Sequence, residues 1–177
     1  MLTRKDILEA LDCLTDEIVP RKPRTEILMV GGGALVLLYN IRSSTKDLDV
    51  LIISTEQKAE VLRAAKRVAE ALSLPEDWLN EAAKGWIHHV ASGKVVYKSS
   101  SLIVRASTPE QLLAMKLMAL RDDQDIKDAK FLLPIVKGSR GTRNQVWDKI
   151  VTYVIPSRET KVSYALDDLW EQLYGTR

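Results

Sequence analysis

Residues 29–50 read Met-Val-Gly-Gly-Gly-Ala-Leu-Val-Leu-Leu-Tyr-Asn-Ile-Arg-Ser-Ser-Thr-Lys-Asp-Leu-Asp-Val. The two carboxylates near its end are the first clue. In a strand, residues i and i+2 point to one face, so Asp47 and Asp49 stand side by side while Leu48 turns to the core. Like charges held that close repel unless a cation lies between them. Magnesium, or manganese in its place, suits such a pair, because it takes hard oxygen ligands from one or two carboxylates and fills its shell with water and phosphate oxygens. Gly31, Gly32 and Gly33 let the chain turn sharply and expose backbone N–H groups. The apolar run from Ala34 to Ile41 predicts a helix whose N-terminus favours an anion. Strand, glycine turn, helix and acidic strand, in that order, describe a holder for a nucleoside triphosphate with a divalent metal at Asp47 and Asp49 and phosphates at Gly31 and Gly32.

Two other phosphate binders are excluded by spacing. Gly-Gly-Gly-Ala-Leu-Val does not match Gly-x-Gly-x-x-Gly, and no Gly-Lys-Ser/Thr follows, so the stretch is neither a dinucleotide fingerprint nor a P-loop. His88 and His89 do not make a metal site, since adjacent residues diverge in any regular element and no partner lies at ligand spacing.

Outward from this segment the pattern alternates helix and strand. A helix is expected over Arg4–Val19 with a Thr3 cap paired to Asp6, then a Pro-Arg-Lys-Pro-Arg connection and a strand over Glu26–Val30. The acidic strand runs Leu48–Ile53, an amphipathic helix Gln57–Leu72, and a short helix Glu76–Lys84. Lys94–Ala106 reads as a strand pair around Ser99, Ser100 and Ser101. From Thr108 on, everything reads as helix: Thr108 is an N-cap, Pro109 the first helical residue and Gln111 the N3 partner. The expected architecture is α/β (α+β), with a small mixed sheet in residues 1–107 and a helical cap in 108–177 packed on it as one compact unit.

The chain resembles the nucleotidyltransferase fold superfamily, whose signature is a glycine pair at a helix start followed by Asp-x-Asp on the next strand. It is most similar to the small bacterial branch related to abortive-infection and toxin–antitoxin nucleotidyltransferases. The match rests on Val30-Gly31-Gly32-x-Ala34, Arg42-x-x-Thr45-x-Asp47-Leu48-Asp49, Leu74-Pro75-x-x-Trp78-Leu79-Asn80 and Leu112-Leu113-Ala114-Met115-Lys116-Leu117, with an acidic cluster after it. The resemblance implies nucleotidyl transfer from a triphosphate, Arg42 and Thr45 beside the nucleotide, and a toxin with a cognate antitoxin partner. Many members carry a third acidic residue on a later strand. The candidate strands here, Lys94–Tyr97 and Leu102–Ala106, hold none, and the serines and Arg105 occupy the region.

Lys116 is the one charge in an otherwise apolar stretch, Leu112–Leu120. A lysine there must reach water or meet a buried anion. Two readings stay open: a phosphate contact, which the family pattern implies with Asp125 and Asp128 as further site residues, or an internal ion pair. Asp122, Asp125 and Asp128 also fit a helix cap and a solvated face.

At 177 residues, 46% apolar and net charge +2, the chain supports one good core and is no polycation. A single cysteine, Cys13, excludes an internal disulfide. Arg4, Lys5, Asp6 and Glu9 interrupt any secretory signal, and Ile27–Tyr39 is too short and glycine-rich to span a bilayer, so a cytoplasmic location is expected. The loop Lys137-Gly-Ser-Arg140-Gly-Thr-Arg143 suits a phosphate backbone and equally a solubilising surface. Trp147 and Tyr153 suit base stacking or ordinary helix packing. Two functions follow: a metal-dependent nucleotidyltransferase acting on RNA, tRNA included, or on protein, with Lys116 neutralising the leaving pyrophosphate; or a nucleotide-binding module without turnover that regulates or binds a partner.

Overall fold

The computed structural model describes residues 1–175, which divide into two compact units: Met1–Lys84 with Ser92–Ser107, and Gly85–Ala91 with the chain from Thr108 on. This differs from the boundary expected at 107/108 in placing residues 85–91 with the helices. The reason is local. The Gln111 side chain donates to His89 O at 2.6 Å and accepts from Ala91 N at 3.0 Å, and Arg158 stacks over the Trp86 ring at 4.3 Å.

In the first unit, β1 (Leu2–Thr3) runs straight into α1 (Arg4–Glu17). Thr3 Oγ1 accepts from Asp6 N, and Asp6 Oδ2 accepts from Thr3 N at 2.8 Å, the reciprocal capping box expected from the sequence. The helix ends two residues before Val19, because Ile18 is already extended. Strand β2 (Thr25–Met29) leads into α2 (Gly31–Ala34), which widens into a π-helical turn over Leu35–Tyr39 and stops at Asn40, φ 51°. The glycines are therefore the first turn of the helix and not a loop before it.

Then follow β3 (Ser44–Thr45), β4 (Leu48–Ile52), α3 (Lys58–Leu72), β5 (Leu79–Asn80), β6 (Ser92–Lys98) and β7 (Leu102–Ser107). β1 pairs with β3, and the other five strands form a mixed sheet in the order β5-β4-β2-β7-β6.

Register assigns the faces, since residues directly opposite one another share a side. Ile27, Met29, Val50, Ile52, Val104 and Ala106 fall on one face and are all buried. Tyr97, paired with Val104 and so on that face, donates from its hydroxyl to Asp12 at 2.7 Å, which places α1 there. The opposite face carries Asp49, Leu51, Glu26, Leu28 and Arg105.

One expected element is corrected. Glu76–Lys84 is not a short helix: β5 pairs parallel to β4, and a 3-10 turn follows at Ala82–Trp86. Tertiary pairing overrides local helix preference here. Trp78 is fully buried, its indole N–H donates to Ala65 O at 2.9 Å, and its carbonyl accepts from Leu48 N at 2.6 Å.

The second unit consists of α4 (Pro109–Ala119), α5 (Asp123–Lys137), α6 (Arg143–Ile150) and α7 (Glu159–Tyr174), joined by short turns. Thr108 Oγ1 accepts from Gln111 N at 3.4 Å, as the cap motif predicts. The Gln111 side chain, however, serves residues 89 and 91 and not the cap. α4 is buried on nearly every side and packs against α5, α6 and α7. Among the described residues no helix is long and apolar enough to cross a membrane.

Candidate active site

The site assembles where β2, α2, β3 and β4 meet. Residues 47–52 alternate half-buried and buried, so Asp47, Asp49 and Leu51 lie on the outward side while Leu48, Val50 and Ile52 enter the core. Strand pairing proper begins only at Leu48, yet the alternation carries Asp47 onto the same side as Asp49. Val30 N donates to Asp49 O at 2.9 Å, which fixes Asp49 level with the entrance to the glycine helix.

The glycines are needed because side chains occupy the space a Cβ would fill. Gly31 has φ +60°, and a Cβ there would lie 3.1 Å from Asp49 Oδ2. At Gly32 it would lie 2.5 Å from Thr45 Oγ1 and 3.1 Å from a terminal guanidinium nitrogen of Arg42. At Gly33 it would strike Leu48 and Met29, so that glycine serves core packing. Five expected site residues, Gly31, Gly32, Arg42, Thr45 and Asp49, are thus brought together at van der Waals range. Thr45 is buried, and its hydroxyl donates to Asp47 O at 3.1 Å, holding the turn that delivers Asp47. Val30 gives the helix no side-chain cap, and the positive end of the helix faces the Asp49 side.

Gly32→Ala is expected to destabilise the first unit by about 1–3 kcal/mol, the usual cost of overpacking. Thr45→Ala in the same chain should recover much of that loss, because it removes the oxygen that the new methyl meets. A thermal-unfolding double-mutant cycle checks this; additive single effects would mean the two residues do not touch.

A divalent cation fits the donor set: two half-exposed carboxylates on one side of a strand, next to the glycine start of a helix. Among the described residues no group of three His, Cys, Asp or Glu side chains could hold an ion. Two carboxylates suit magnesium that arrives with its phosphates and do not form a closed cage. The sheet position one step beyond the Met29–Ala106 pair, level with Val30 and Asp49, is Ser107, which is buried. Arg105 pairs with Glu26. Ser99–Ser101 lie at the other end of the strands, where Ser101 O accepts from Thr25 N, and so do not stand beside Asp49. Sequence spacing pointed to those serines, whereas register picks out Ser107.

Lys116, Asp125 and Asp128 lie together in the second unit as a buried ion cluster. Lys116 Nζ donates to Asp125 Oδ1 at 2.7 Å and Asp128 Oδ2 at 2.8 Å, with the side chains 10%, 3% and 0% exposed. Arg121 N donates to Asp125 Oδ2 at 3.1 Å, and Gln124 Nε2 to Asp128 Oδ1 at 3.0 Å. Asp122 caps α5, accepting from Asp125 N at 2.9 Å. Of the two readings of Lys116, the geometry supports the internal ion pair, and it gives Asp125 and Asp128 a structural task in place of a solvated face. Burial alone would raise the Asp125 pKa, but the Lys116 ammonium, the Arg121 N–H and both charges outweigh it and hold the carboxyl below its ordinary value.

The basic residues of the C-terminal third are mostly engaged within their own unit. Arg143 donates to Asp167 and Ser163 and stacks on Trp147 at 5.5 Å. Lys137 lies 5.0 Å from the Tyr174 ring. Lys149 caps Val136 O at 2.7 Å, and Lys161 caps Met118 O at 2.9 Å. Arg140 is exposed.

A family model described as nucleotidyltransferase of unknown function (DUF6036) matches residues 6–132, which include every residue of the glycine–aspartate site and the Lys116 cluster. No curated protein and no solved structure matches the chain.

Proposed function

We propose, for a chain that belongs to the nucleotidyltransferase family of unknown function, that it moves a nucleotidyl group from a nucleoside triphosphate to an RNA acceptor, tRNA included. The observation that carries this reading is the position of the Asp49 carboxylate at the head of α2, where a Cβ on Gly31 would lie 3.1 Å from its Oδ2. It sets an anion-binding backbone turn and a hard-oxygen pair side by side. Asp47 and Asp49 would hold magnesium or manganese, which when bound supplies charge neutralisation along the polyphosphate. The N–H groups at Gly31 and Gly32 orient phosphate oxygens, and the Arg42 guanidinium beside Gly32 meets negative charge developing on the leaving group. Thr45 holds the backbone from which Asp47 projects. A toxin role with a cognate antitoxin, and a protein acceptor in place of RNA, belong to the same reading through the family resemblance.

A second reading, a nucleotide-binding module without turnover, is favoured by Ser107 standing level with Asp49 where an acid would complete the set. The test is incubation with each labelled nucleoside triphosphate, magnesium and total RNA. Label recovered on RNA is the expected outcome. Triphosphate binding with no label on RNA or protein would overturn the enzyme reading in favour of the second.

A further inference from the structure

We infer that the groove at the Pro20–Arg24 loop is the docking surface for the backbone of a polymeric RNA acceptor, an inference that rests on the transferase reading above. The groove, about 510 Å³, is lined by Arg21 and Lys22, which lie between Pro20 and Pro23, by Arg24 after them, and by Ser100 and Ile103. None of its lining residues is acidic. Arg21 is paired with Glu60, whereas Lys22 and Arg24 are exposed and meet no carboxylate among the described residues. Arg24 Nε donates to Ser100 O at 3.1 Å, which ties its guanidinium to the wall of the groove. Lys98, exposed and paired in register with Ile103, adds a third cation beside the groove. Two prolines fix φ on either side of Lys22, so the loop is pre-organised and loses little entropy on binding.

The surface lies at the opposite end of β2 from the glycine turn. From Thr25 to Val30 is about 17 Å at ~3.3 Å per residue, which is about five nucleotides of stacked strand at ~3.4 Å each. A mononucleotide or small acceptor at Asp49 cannot reach this groove, whereas a polynucleotide can. No aromatic side chain lines it, so it recognises phosphate and not base, and its binding must depend on salt. Residues 137–143 present less, since Arg143 and Lys137 are engaged with Asp167, Ser163 and Tyr174.

The test uses the full chain and a fluorescein-labelled mixed-sequence RNA of twenty nucleotides, without triphosphate or metal, read by anisotropy over a salt series. Binding is thereby separated from turnover: an inactive protein can pass and an active one can fail. Lys22→Glu/Arg24→Glu/Lys98→Glu is expected to weaken binding at least about tenfold and to flatten the salt slope by about 2, while Lys137→Glu/Arg140→Glu changes neither by a comparable amount. A two-nucleotide probe should not distinguish the triple variant from the wild type. The inference is overturned if the triple variant binds as the wild type does, if only the 137/140 variant loses binding, if the wild type binds no RNA, or if phosphatidylglycerol vesicles retain the protein and RNA does not.

Discussion

Asp49→Asn is expected to slow nucleotidyl transfer by about a thousandfold, or about 4 kcal/mol of transition-state stabilisation, while leaving the fold intact. The substitution keeps the shape of the side chain and removes the charge that would hold the cation. Asp49 is half-buried, and its main chain is held by the Val30 N–H, a bond that the substitution keeps. Single-turnover labelling at saturating triphosphate separates the chemical effect from binding. Asp47→Asn should act in the same direction, and either variant should require more magnesium for its residual rate. Transfer within tenfold of the wild type in Asp49→Asn would remove this carboxylate from the mechanism.

Lys116→Met should lower the stability of the helical unit by about 3–5 kcal/mol, because it removes the ammonium that pairs with two carboxylates only 3% and 0% exposed. Asp128 is fully buried, and the Lys116 ammonium stands 2.8 Å from its Oδ2. Urea unfolding followed by tryptophan fluorescence reads the effect, since Trp86, Trp147 and Trp170 all lie in that unit. Asp128→Asn added to Lys116→Met should recover part of the loss by removing the uncompensated charge. Together with the labelling assay this separates the two readings of Lys116: a phosphate contact would lose rate and keep stability, and a stability loss below about 1 kcal/mol would end the structural account. The low pKa of Asp125 carries a pH signature. Its carboxylate contributes fully above its unfolded value of 3.8 and that contribution is lost as pH falls through the still lower folded value. Acid unfolding of the wild type should therefore show a component below pH 3.8 that Asp125→Asn lacks.

Much of the fold was legible because it rests on local rules. Thr3 with Asp6, and Thr108 with Gln111, marked helix starts through hydrogen bonds that close within three residues. The β6–β7 pair could be read around the serines, and the amphipathic run announced α3. The short helix expected at 76–84 failed for a reason no local rule contains: Trp78 and Leu79 are placed by Ala65 and Leu48, 13 and 31 residues away. The helix start at Gly31 was also missed, since glycine triplets read as turns. The packing of Asp49 against Gly31, Thr45 and Arg42 against Gly32, and Leu48 and Met29 against Gly33 shows why small residues open this helix.

The carboxylate pair and its glycines lie within twenty residues of chain, so periodicity and residue chemistry sufficed to put them forward as a candidate site. Which groups stand around the pair was decided by tertiary register alone: Thr45 and Arg42 against Gly32, Ser107 level with Asp49, and the serines at the far end. Lys116 shows the same division. Its burial was written in the apolar stretch around it, but its partners were settled only when α5 packed on α4 and brought two aspartates within hydrogen-bonding distance. Local sequence specifies where a charge sits on its own helix or strand, whereas the identity of its neighbour depends on long-range packing that minimises unpaired charge in a medium of low dielectric.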